Sequence, residues 1–198
     1  MLDLSNRYDF LTAAILFEGS LVGLASALGW CFNIDPLAHF AWDRRGLIAG
    51  LAATVPMFCL FAVAYRFPLG PFRKIKHFLL EALGPSLLAC RWYDLLLVAL
   101  VAGVGEELLF RGVLHSQLGI WGSNILFGLV HFITPAYAVT AGLIGAYLGW
   151  TLDVSENLLA PVVAHGLYDF LAFVVVARDI RKTPLLPQSG DSDTFPAA

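Results

Sequence analysis

Seven residues, in three apolar runs of the chain, have the types and spacing to do chemistry. Glu106, Glu107 and Arg111 stand in the first run, Phe127 and His131 in the second, and His165 and Asp169 in the third. If the runs are helical, the pairs Glu107/Arg111, Phe127/His131 and His165/Asp169, each four apart, share one face. Glu107 can then pair with Arg111 across a turn, whereas Glu106 points about 100° away and is left as the carboxylate free for chemistry. In a membrane each such charge costs roughly 2.5 to 3.5 kcal/mol, so three in one run approach the whole stability of an ordinary domain. They must be paired, hydrated, or both. Any one polar group could be purely structural, but a single hydrated cavity shared by three spans solves every desolvation problem together.

A carboxylate beside an imidazole can hold and deprotonate a water, and a second imidazole can donate a hydrogen bond to developing negative charge. Those are the parts of a hydrolase without a side-chain nucleophile. Ser116 and Ser123 lie outside any GxSxG motif, and Cys90 sits at an expected interface. The same histidines and carboxylates could instead bind Zn²⁺, although no HExxH spacing is present. Two readings from other classes remain: a non-catalytic binding or immunity protein of the membrane, and a small transporter with proton-carrying acids. Transport would call for an inverted repeat or paired broken helices, and neither is visible.

The elements that must position these groups are membrane helices. The chain is 59% hydrophobic and 14% charged, against about 25% charged in a soluble domain. This predicts an all-α, polytopic transmembrane bundle of about six spans. They run from about Phe10 to Phe32, Gly46 to Tyr65, Trp92 to Leu118, Ile120 to Ile133, Tyr137 to Leu152 and Leu158 to Ala177. Between the second and third, Phe72 to Cys90 mixes Arg73, Lys74 and Lys76 with Phe78, Leu79 and Leu80, as an interfacial amphipathic helix would. Residues 1–182 read as one integral membrane domain and 183–198 as a disordered polar tail.

The weight of Lys and Arg places both termini in the cytoplasm, in a bacterial inner membrane. The first span has no basic region ahead of it and reads as an uncleaved helix. The net charge of -3 is thinly spread, with no basic stripe, so no nucleic-acid partner is expected. Cys31, Cys59 and Cys90 read as small core hydrophobes. Glu18 is an acid inside the first span that could line a cavity or pair with Arg or His of another helix. Ser123 and Asn124 are placed to hydrogen-bond across helices, and Gly19/Gly23, Gly46/Gly50 and Gly145/Gly149 are spaced for close helix packing.

Three motifs carry a family resemblance. Glu106-Glu107-Leu-Leu-Phe-Arg111 resembles EExxxR, Phe127-Gly-Leu-Val-His131 resembles FxxxH, and His165-Gly-Leu-Tyr-Asp169 resembles HxxxN/D. In this order they are the motifs of the CAAX-protease and bacteriocin-processing (CPBP) family of intramembrane glutamic endopeptidases, with a family-like core over about 92–177. The resemblance implies that Glu106 activates water with His131 assisting, that His165 and Asp169 face the oxyanion, and that Glu107, Arg111 and Phe127 support them. It implies no metal, with zinc the alternative. The implied partners are the lipid bilayer and a protein or peptide substrate: membrane-anchored, prenylated or bearing a sorting signal. Asp169 departs from an Asn that could donate to an oxyanion; it must either be protonated or orient His165 in a charged, donating form.

Overall fold

A computed structural model describes residues 3–182. Among them the chain is helical, with no strand: α1 (Arg7–Phe32), α2 (Arg44–Arg66), α3 (Phe72–Phe78), a π-helical turn π1 (Leu79–Leu83), α4 (Gly84–Ala89), α5 (Trp92–Glu107), a second π-helical stretch π2 (Leu108–Leu114), α6 (His115–Val130), α7 (Pro135–Ser155) and α8 (Leu159–Lys182). This is the all-α bundle that the composition predicts. The tail expected over 183–198 lies outside the described residues.

The helix ends have local causes. The Asn6 side chain accepts from the Tyr8 and Asp9 N–H groups at the start of α1, and Asn33 closes α1 in the left-handed region at φ 56°. Thr134 caps α7 ahead of Pro135, which has no N–H to lose. The break expected between Leu118 and Ile120 falls on Gly119, whose φ of 66° interrupts α6.

Fewer helices than the six expected qualify as spans by length and composition alone. By length and composition three described helices can cross a membrane, α1, α2 and α8, or four if Phe72–Ala89 and Trp92–Val130, bent by 118°, count as one broken span. The helices α5, α6 and α7 explain the difference. α5 and α6 are 16 residues each, about 24 Å against a hydrocarbon core of about 30 Å. At 21 residues α7 is long enough, but Gly, Tyr and Thr dilute its apolarity.

α8 is the central helix and packs on α2, α4, α5 and α7, while α1 lies along α5 and π2 rather than against α2. The best apolar window of α8 is 44% buried and that of α1 only 6%, so few residues of α1 are fully buried. Two of the three small-residue pairs do pack: Gly46 and Gly50 lie against the start of α8, and Gly145 and Gly149 against α6 and Arg111, whereas Gly19 and Gly23 face open space. Cys90 is buried, but Cys31 and Cys59 are exposed rather than in the core, as lipid-facing positions can be.

Two polar clasps fix the frame. Asn157 bonds both the N–H and the C=O of Ala41, and so ties the α1–α2 connection to the start of α8. Arg7 grips Asp94 with two hydrogen bonds, 2.6 and 2.7 Å, and so sets the register between α1 and α5. The space between α1 and α2 is a cavity of about 620 Å³, backed by α5 and α8 and walled at one end by Phe72, Ile75 and Leu79. The apolar face of the expected interfacial helix thus closes a cavity as well.

Candidate active site

Arg111 is the structural centre of the site. Its guanidinium is 1% exposed, which leaves it wholly dependent on protein partners. Nη1 donates to Glu107 Oε1 at 2.9 Å, and Nη2 donates to Asn124 Oδ1 at 3.0 Å and to the Gly145 carbonyl at 2.6 Å. The Glu107/Arg111 pair holds although the chain there is π-helical, because four residues is also close to one π turn. Gly145 has to be bare: a Cβ there would lie 2.7 Å from Asn124 Oδ1 and 3.0 Å from Arg111 Nη2. Asn124 therefore bonds across helices, as expected, while Ser123 bonds back to the Gly119 and Ile120 carbonyls of its own helix.

Glu107 does more than hold Arg111. The same Oε1 accepts from His165 Nδ1 at 2.7 Å. A carboxylate can only accept, so Nδ1 carries the proton and Nε2 is turned away, toward the cavity. His131 is fixed in a parallel way. It stands at the C-terminal cap of α6, where its Nδ1 donates to the Phe127 carbonyl at 2.8 Å and its ring stacks on Phe127 at 4.4 Å. The guanidinium of Arg111 lies over the same Phe127 ring, 4.7 Å from its centroid. Phe127 is thus a platform that couples the buried cation to the cavity histidine.

Both free Nε2 atoms face Glu106. His131 Nε2 is 3.6 Å from Oε1, and His165 Nε2 is 3.9 Å from Oε2. Asp169 Oδ2 lies 3.5 Å from the same His165 Nε2. Glu106 is 8% exposed, its Oε2 has no hydrogen-bond partner, and it lines the cavity with His131, His165 and Asp169. Two helices, α5 and α8, and the cap of α6 therefore bring the four expected catalytic side chains to one wall, with Phe127 beside them and the expected supporting pair Glu107 and Arg111 behind. Among the described residues, no three His, Cys, Asp or Glu side chains are grouped to hold a metal ion.

Sequence reasoning missed the Glu107–His165 bond and the part of Gly145. Neither has a local signal, since both join residues at least 34 positions apart. It also missed the π-helical stretch. There Leu109 to Leu114 are all buried, where an amphipathic α-helix would expose one side.

Residues 88–171 match the family model of type II CAAX prenyl endopeptidase Rce1-like proteins. All seven site residues fall within that stretch. The uncharacterized protein YpbD of Bacillus subtilis (strain 168) is 32% identical over 80 residues, which are 38% of this chain and 41% of that protein. The alignment thus spans well under two thirds of the relative. No solved structure matches the chain significantly. The segment that carries the site is thus similar to this family over 88–171, and its setting among apolar helices makes the chain an integral membrane protein.

Proposed function

We propose that the chain is an intramembrane endopeptidase that cuts a peptide bond in or beside the membrane with water activated by Glu106. The observation that carries this is the convergence of the Glu106 carboxylate with the Nε2 atoms of His131 and His165 on one cavity wall. Water held between Glu106 and His131 loses a proton to Glu106 as its oxygen bonds to the scissile carbonyl carbon. His165 faces the oxyanion that forms. Its Nδ1–H is already given to Glu107, so donation from Nε2 requires the doubly protonated ring, and Asp169 at 3.5 Å favours that form. Collapse of the intermediate breaks the C–N bond, and the proton held by Glu106 passes to the leaving amine.

The substrate classes that fit are membrane-anchored proteins, prenylated tails and precursors bearing a sorting signal, presented at a bacterial inner membrane to a protein with both termini in the cytoplasm. The family match and the cavity, which pairs an apolar body with one polar wall, support this reading. The test compares wild type with Glu106→Gln and His131→Ala in the native host, using mass spectrometry to find membrane proteins that accumulate uncleaved in both variants. If neither substitution changes any substrate while deletion of the gene does, the peptidase reading fails. Stoichiometric zinc in the purified protein, with loss of cleavage on its removal, would overturn the proposed absence of a metal.

A further inference from the structure

We propose that Glu18 is the anionic wall of a substrate subsite that takes a cationic group, a lysine or arginine side chain, next to the bond that is cut. The proposal rests on the peptidase reading of the cavity. Glu18 lies outside the matched stretch 88–171, and its place follows from helix register. Arg7 and Asp94 clasp where α1 and α5 begin. From Arg7 to Glu18 and from Asp94 to Gly105 are equal steps of eleven residues, about three α-helical turns, so each pair returns to the same face at about the same depth. The backbone agrees: a Cβ on Gly105 would lie 2.7 Å from the Glu18 carbonyl oxygen and 3.6 Å from Glu18 Oε2. The side chain therefore enters the cavity beside the residue that precedes Glu106.

Among the described residues no ion pair forms with it there. Glu18 Oε2 is buried and has no hydrogen-bond partner. Its ionisable neighbours are Glu106, Asp169, His131 and His165, and both histidines aim their free nitrogens at Glu106. The terminal nitrogens of Arg111 are engaged by Glu107, Asn124 and Gly145. Among the described residues lining the cavity, Lys76 is the only Lys or Arg, and it lies 3.6 Å from Asp179 and 4.3 Å from the Tyr65 ring centroid. A second independent sign of a ligand is Glu106 itself, buried, lining the same cavity and also with an unpartnered oxygen. A carboxylate without an ion-pair partner, on the wall of a cavity that admits substrate, is complementary to a cation that the substrate brings.

The test uses the full chain in nanodiscs and two apolar fluorescent peptides that differ at one position, lysine or its uncharged counterpart norleucine. Binding is measured by anisotropy and cleavage by chromatography. Wild type should bind the lysine peptide about ten-fold more tightly or better, the size of one charged hydrogen bond. Glu18→Gln should erase that preference. Equal binding of both peptides by wild type, or a lysine preference that survives in Glu18→Gln, overturns the proposal. So does a Glu18→Gln protein that loses kcat equally on both peptides with an unchanged unfolding temperature, since Glu18 would then act on the chemistry. Absence of cleavage in wild type sinks the peptidase reading, while the binding comparison still decides the subsite.

Discussion

Glu106 and Glu107 are neighbours in sequence and opposites in setting. Glu107 is 0% exposed and shares one oxygen between Arg111 and His165 at hydrogen-bond distances, inside a network that continues to Asn124 and Gly145. Glu106 faces a cavity, and its closest ionisable partners stand at 3.6 and 3.9 Å. A buried charge held by short bonds is costly to disturb, because removing one partner strands the other without water. A carboxylate kept just beyond hydrogen-bond distance of two imidazoles can still take up a water and a proton. The contrast separates geometry from chemistry across a single peptide bond.

Substitutions can break that contrast. The largest effect is expected from Glu106→Gln, which should lower cleavage about 10³-fold or more by removing the general base. Its unfolding temperature in detergent should be unchanged or raised, since an unsatisfied acid is lost. Arg111→Ala should do the reverse and lower stability by roughly 3 to 5 kcal/mol, because Glu107 is left buried without its guanidinium partner. Thermal unfolding monitored by circular dichroism checks this, and a stable Arg111→Ala protein would remove the distinction between the two acids.

Smaller effects sharpen it. Gly145→Ala places a methyl group against Asn124 and Arg111, and should cost about 1 to 3 kcal/mol through overpacking. Activity should fall in proportion to the folded fraction and no further. Asp169→Asn is expected to be the mildest, with cleavage within about ten-fold of wild type, since an amide can donate where the carboxylate could only orient His165. Complete loss of cleavage by a folded Asp169→Asn protein would count against the donor role and favour the orienting one.

Much of the site was legible without coordinates because its chemistry is written in helical steps. Glu107 with Arg111, Phe127 with His131 and His165 with Asp169 are contacts set by spacing along one helix. The same holds for the break at Gly119, which depends on local dihedral preference. The count of crossings was less legible, since charges and glycines needed by the site shorten and dilute the helices that carry it.

The amino-acid sequence by itself determined an all-helical membrane chain and the pairs that share a helical face. Only the tertiary structure decided that Glu107 also anchors His165, that a bare Gly145 admits Arg111, and that Glu18 of α1 stands beside Gly105. Spacing within a helix is fixed by backbone geometry, so it can be read from one chain. The choice of neighbouring helix is fixed by clasps such as Arg7–Asp94 and by which surfaces can approach, and those are properties of the packed whole.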